Sequence, residues 1–163
     1  ALPISANVRR SGGAAARSGR AGSVRTGLAG RCAADKIPLM VSMAEGSLGA
    51  ALEYADDQHA DLIAQTIALL QDGQRLRWNE IQTFADFFGT KGNDDSQRIF
   101  KDTLLWVASG VVRNKISGFD GLKSAPLARK LKIYDDLRAH FDRCQLGNLD
   151  KRFLIIGAYM VFE

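Results

Sequence analysis

His140 and Cys144 stand four residues apart, a spacing that puts two side chains on one face of a helix. Imidazole and thiolate are both zinc ligands, and the same pair can act as base and nucleophile in covalent catalysis. A structural zinc site needs about four ligands. His59 and Cys32 are too isolated in the chain to complete such a set. A Cys–His reaction would also need an orienting group and an oxyanion site, and no neighbouring residue suggests either. The pair is therefore read as a helix-surface histidine beside a buried thiol, with no metal, no cofactor and no catalytic residue. A second stretch of interest is Ala44-Glu45-Gly46-Ser47-Leu48-Gly49-Ala50-Ala51-Leu52. It has the form of a short loop, a capping serine and the start of an apolar helix. A third is the basic run Arg113, Lys115, Lys123, Arg129, Lys130 and Lys132. It allows partner or DNA contact, but Asp135, Asp136 and Asp142 follow closely and cancel much of its field, so a solvated loop and helix face is the simpler reading. The phosphate-cradling pattern Gly-x-x-x-x-Gly-Lys-Ser/Thr occurs nowhere in the sequence.

Helices must position these residues. Leu39, Met40, Met43 and Ala44 recur at helical spacing, Gly46 ends that helix, and Ser47 caps the next, whose apolar face is Leu48, Ala51, Leu52 and Ala55. Residues 60–70 form a third helix with Leu62, Ile63, Ile67 and Leu70 on one stripe, closed by Asp72-Gly73. Trp78, Ile81, Phe84, Ala85 and Phe88 mark a fourth, ended by Gly89. Asn93 and the acids after it open a long helix to about Val112, with Ile99, Phe100, Leu104, Leu105, Val107, Ala108, Val111 and Val112 as its apolar set. Ser117–Lys123 reads as a Gly-rich loop. Ser124 and Pro126 start a helix that runs through Leu127, Leu131, Tyr134, Leu137 and Phe141, and Asn148 caps a last one, Leu149 to Val161, with Phe153, Ile156, Tyr159 and Met160. No segment alternates like a strand. Short loops between such helices predict an all-α bundle of six to seven helices with antiparallel neighbours.

The net charge of +4 is unevenly placed. Residues 1–35 hold six arginines and one acid, Asp35, whereas the remaining 128 residues hold 16 basic and 17 acidic side chains. The body is near neutral, so a nucleic-acid argument from overall charge would concern the tail alone. Residues 1–35, rich in Ala, Gly, Ser and Arg, lack periodicity and are expected to be disordered. Three origins stay open for them: a non-native leader, an Arg-rich arm that touches nucleic acid, or a transit peptide. The chain begins at Ala1 rather than Met, which points to a fragment or a processed product. Two distant cysteines fit a reduced, cytoplasmic protein. The longest apolar run, Phe153 to Phe162, is ten residues. That is about half of a membrane span.

Two parts of the chain resemble one family. Gly46-Ser47-Leu48-Gly49-Ala50-Ala51-Leu52 looks like the start of the nucleotide-sensing helix of ATP-driven clamp-loading subunits. Tyr134-Asp135-Asp136-Leu137-Arg138-Ala139-His140-Phe141, followed by Asn148-Leu149-Asp150-Lys151-Arg152, resembles the end of the delta-prime subunits of bacterial DNA polymerase III. The resemblance covers residues 37–160. It implies the tail of an ATPase lid at 36–56 and a helical collar, or oligomerisation, domain at 57–163. It also implies that other clamp-loader subunits are partners, that DNA is reached only through the complex, and that the chain itself is no enzyme. In that family an arginine usually follows the Ser-Leu pair and reaches the ATP phosphates. Here Gly49 takes its place, which implies a degenerate sensing position and no bound cofactor. Residues 1–34 do not resemble the family's upstream helices.

The interface candidates are Trp106, Phe141, Tyr134 and Arg113. Trp106 sits in Leu104-Leu105-Trp106-Val107, apolar nearly all round, and such a helix needs more than one packing partner. Trp78 and Trp106 are thus core or inter-subunit anchors. For Ser47 and Gly49 the plainer reading is an ordinary cap followed by a small residue that lets helices approach closely. The alternative to the collar is an unrelated helical binding module whose basic arm contacts nucleic acid.

Overall fold

The structure, a computed structural model, describes residues 28, 33–71, 76–147 and 149–163. Nearly all of the 1–34 tail, the Asp72-Gly73 stop, Cys32 and the Asn148 cap lie outside the described residues. Within them the fold is all-α, with no strand. The chain divides into two compact units, one reaching Asp57 and the other spanning Gln58–Glu163.

In the first unit, α1 (Ile37–Met43) and α2 (Leu48–Tyr54) pack on each other. Gly46 turns the chain between them at φ +93°, a conformation that costs glycine little. Ser47 then caps α2 as expected, its Oγ accepting from the Ala50 N–H at 3.3 Å. Ala51 and Ala55 are buried, whereas Leu48, expected on the same face, is exposed.

The second unit contains α3 (Asp57–Gln71), α4 (Trp78–Lys91), α5 (Asp94–Val112), the single turn α6 (Asp120–Lys123), α7 (Leu127–Leu146) and α8 (Lys151–Met160). Helix α4 lies against α8, α5 against α7, and α7 against α8. The core is aromatic. Phe100 is fully buried, with the rings of Phe88, Tyr159, Phe84 and Phe141 at 5.8, 6.0, 6.2 and 6.5 Å. Tyr159 also ties α8 to α3, since its Oη donates to the Thr66 carbonyl at 3.0 Å. Burial pushes the Tyr159 phenol well up, so it stays a donor. The buried hydroxyls of Thr66 and Thr103 donate to the carbonyls four residues back, both at 2.7 Å, which avoids the penalty for unpaired polar groups.

Asn93 caps α5, its Oδ1 accepting from the Ser96 N–H at 2.7 Å, with Asp94 and Asp95 in the first turn. The helix ends with Asn114 in the left-handed region at φ +53°, where the Lys115 N–H reaches back to the Gly110 carbonyl. Lys130, buried on α7, holds that turn by donating to Asn114 Oδ1 at 2.8 Å.

The structure corrects four expectations of detail. The 117–123 loop contains α6, because buried Ile116 and Phe119 pin the segment to the bundle while Ser124 Oγ donates to the Asp120 carbonyl. Ser124 therefore ends α6 rather than starting α7, which begins after Pro126. Helix α4 runs past Gly89 to Lys91. Asp150 caps α8, its Oδ1 accepting from the Arg152 N–H at 3.0 Å.

Candidate functional site

Helices α7 and α8 are fitted together around His140. The buried stripe of α7 is Lys130, Ile133, Leu137, His140, Phe141 and Cys144, a helical period of three and four. The surface placement read from sequence is overturned, since His140 is only 5% exposed. Gly157 on α8 makes the burial feasible. A Cβ there would stand 2.3 Å from His140 Cε1, so the ring occupies the space that any other residue at 157 would fill. His140 Nε2–H donates to the Leu154 carbonyl at 3.0 Å. That bond leaves Nδ1 as the acceptor, with Cys144 Sγ 4.0 Å away. The rings of Phe153 and Phe141 lie 5.7 and 5.9 Å from the imidazole.

Burial holds the His140 imidazole below its ordinary 6.5; the bond to Leu154 opposes this and Arg143 adds to it. Burial likewise pushes the Cys144 thiol up, against the opposing charges of Arg143 and Lys101. The neutral thiol is a poor nucleophile and a poor metal ligand. Among the described residues, no group of three or more His, Cys, Asp and Glu comes together. The His140–Cys144 pair is packed inside the bundle on the buried stripe of α7.

Gly49 lies elsewhere. Gly49 is exposed on the second residue of α2, and an added Cβ meets nothing within 4 Å. The close-packing reading of Gly49 therefore finds no support among the described residues. Gly49→Ala should be neutral or stabilise the first unit by up to about 0.5 kcal/mol, because alanine restricts the unfolded chain and favours helix. A loss above about 1 kcal/mol in thermal unfolding would reinstate a packing role.

The four interface candidates have different surroundings. Trp106 on α5 and Tyr134 on α7 are half-buried, and the Arg138 guanidinium sits 6.0 Å from the Tyr134 ring. Phe141 is buried against Phe100 and has little area left for a partner. Arg113 is exposed at the end of α5 and donates through Nη2 to Ser109 Oγ at 2.6 Å. Within the basic run, Lys130 is buried and Arg129 donates to the Glu163 carbonyl at 3.1 Å, so the six cations form no single patch.

Large apolar residues of α7 and α8 are exposed. Leu127 and Leu131 on α7 are 59% and 44% exposed, and Phe153 and Met160 on α8 are 54% and 58% exposed. Leu146, at the end of α7, and Leu149, between α7 and α8, are also exposed.

The fold thus defines an all-α domain whose second unit is closed around an aromatic cluster. Among the described residues, no helix is long and apolar enough to cross a membrane. No family model matches the chain, and no match is found among curated proteins or solved structures.

Proposed function

We propose that the chain is a structural assembly domain that joins partner subunits through the outer faces of α7 and α8. The observation that carries this reading is the set of large apolar side chains left in solvent there: Leu127, Leu131, Leu146, Leu149, Phe153 and Met160. Large apolar side chains left exposed on two helices that pack on each other mark candidate contact points for a partner. Trp106 and Tyr134 add aromatic area of the kind that anchors interfaces. The specific form of the proposal, resting on the sequence resemblance, is the collar of a cytoplasmic delta-prime clamp-loader subunit. In it, buried apolar area holds the subunit ring together, Gly49 offers no side chain to a nucleotide, and the chain is not itself an enzyme. DNA is then met only through the complex.

Mixing the purified chain with the other clamp-loader subunits should yield a hetero-oligomer in native mass spectrometry. Leu127→Glu with Leu131→Glu should leave helicity unchanged and weaken assembly at least about tenfold, since roughly 1.4 kcal/mol of lost apolar contact suffices. Failure to associate with any of those subunits would remove the collar reading. Salt-sensitive DNA or RNA binding, abolished by deleting residues 1–34, would instead favour a helical module with the six-arginine segment as its nucleic-acid arm.

A further inference from the structure

We infer that His140 is a proton-operated latch: its neutral ring fastens α8 to α7, and its protonation loosens α8. The inference concerns how the fold is held and does not depend on which partner the domain meets. Three observations support it. The ring fills the slot over Gly157, the point where the backbone of α8 comes nearest. Its one strong hydrogen bond, Nε2–H to the Leu154 carbonyl, also goes to α8. Finally, the contact of Nδ1 is weak: the Cys144 sulfur lies 4.0 Å from it and nearer to Nε2, at 3.6 Å.

The charges around the ring reinforce this asymmetry. On α7 itself lie Asp136, Arg143 and Cys144, with Asp136 already paired to Lys132. From α8 the ring meets Phe153, Leu154 and Gly157, none of them titratable. From α5, Lys101 lies close enough to Cys144 to act on it. An imidazolium in the slot would meet the Arg143 charge, while Asp136 is already committed to Lys132. An exit exists: an open groove of about 670 Å³, lined by Asp136, Ala139, His140, Arg143, Gly157, Met160 and Val161. Swinging into it, a charged ring comes to the face carrying Asp136, one turn back on its own helix, and leaves the slot empty. The ring thus has an inner neutral position and an outer charged one.

The direction with pH follows from burial. Unfolded, the ring takes up a proton as pH falls through about 6.5. Folded, it stays neutral to lower pH. Below about 6.5 the open form binds more protons than the closed one, so the latch is fully held above that pH and weakens progressively beneath it.

Hydrogen exchange on the full chain tests the latch. Protection factors for the amides of α8 should fall at least about twofold between about pH 7.5 and pH 5.5, as proton uptake by the ring favours the open form, while those of α4 and α5 hold. His140→Gln keeps an N–H donor but cannot titrate, and it should abolish the acid response. His59→Gln should leave the response intact. An equal loss of protection in all helices, or the same acid response in His140→Gln, would overturn the proposal. Should His140→Gln not fold, an NMR titration of the His140 ring decides. A midpoint below 6.5 whose progress parallels α8 opening supports the latch, and an ordinary midpoint ends it.

Discussion

Gly157→Ala is expected to destabilise the second unit by about 1–3 kcal/mol, although alanine is the better helix former. In an isolated helix the change would stabilise by about 0.5–1 kcal/mol. In the folded chain the new methyl would stand 2.3 Å from Cε1, 2.8 Å from Nε2 and 3.0 Å from Nδ1 of His140. All three distances are inside van der Waals contact, so the ring must leave its slot and give up its bond to Leu154. His140→Ala should also destabilise, by removing a buried ring and its hydrogen bond. The double replacement should be milder than the sum, because with the ring gone the methyl added at position 157 fills part of the cavity. A coupling of about 1–3 kcal/mol between the two positions, read from urea denaturation with unchanged m-values, is the expected result. Additive losses would mean that the ring and the glycine do not share space. A second reading separates steric displacement from general loosening. In Gly157→Ala the displaced ring should meet water, and its pKa should rise back toward 6.5. With only two histidines in the chain, NMR can follow it directly.

The difficulty of foreseeing that pair shows where the sequence stops speaking. His140 and Gly157 are 17 positions apart, and no local rule links them. The one available hint was a glycine in the middle of an otherwise apolar helix, which asks what approaches so closely. Elsewhere periodicity sufficed. In α4, Ile81, Phe84, Ala85 and Phe88 are buried, and in α5 so are Ile99, Phe100, Leu104, Val107, Ala108 and Val111. Both helices carry most of their apolar residues on one stripe, so the phase could be read. In α7 the buried stripe passes through Lys130 and His140, two residues a hydrophobicity pattern counts as surface. Their polar atoms are buried because Asn114 and Leu154 supply acceptors, and those partners come from tertiary structure. Helix α8 defeats phase reading for the opposite reason. Residues 153–162 are apolar throughout, so any face could point inward. The packed face is Leu154, Ile155, Ala158 and Tyr159, which leaves Phe153 and Met160 outside.

Caps follow the same logic. Ser47 and Asn93 are both good capping residues, and each is used. Before α8 two candidates compete, Asn148 and Asp150, and local preference cannot choose between them. The register is settled by cross-helix ties: Arg152 Nη2 lies 2.6 Å from Asp86 Oδ1, and Lys151 Nζ donates to the Gly92 carbonyl. Both ties anchor the start of α8 to α4. The exposed ion pair is worth little in energy but fixes rotation about the helix axis. That rotation decides which apolar residues become core and which become surface. Here the placement of a few polar contacts sets the composition of the proposed interface.

Phe100→Ala should cost about 3–5 kcal/mol, the upper end for a single core truncation and a large fraction of the roughly 5–15 kcal/mol that holds a domain of this size. Phe100 is fully buried, and its ring is flanked by Phe84 and Phe88 of α4, Phe141 of α7 and Tyr159 of α8. Removing it leaves a cavity bordered by four rings on three other helices, and stiff aromatic walls collapse poorly into a void. Edge and tilted ring contacts, each worth about 0.5–1.5 kcal/mol beyond area, would be lost together. Phe87→Ala is the matched control. It lies on the neighbouring helix face, is 57% exposed, and has the Lys91 ammonium 5.3 Å from its ring. Its loss should stay within about 1 kcal/mol. Urea denaturation of the two variants should therefore separate them by at least about 2 kcal/mol. If Phe100→Ala fell within about 1.5 kcal/mol of wild type, the aromatic cluster would not be the element that joins α4, α5, α7 and α8. The comparison also bears on the proposed interface, because only a core that is stable without a partner can hold Leu127, Leu131, Phe153 and Met160 in fixed positions for one.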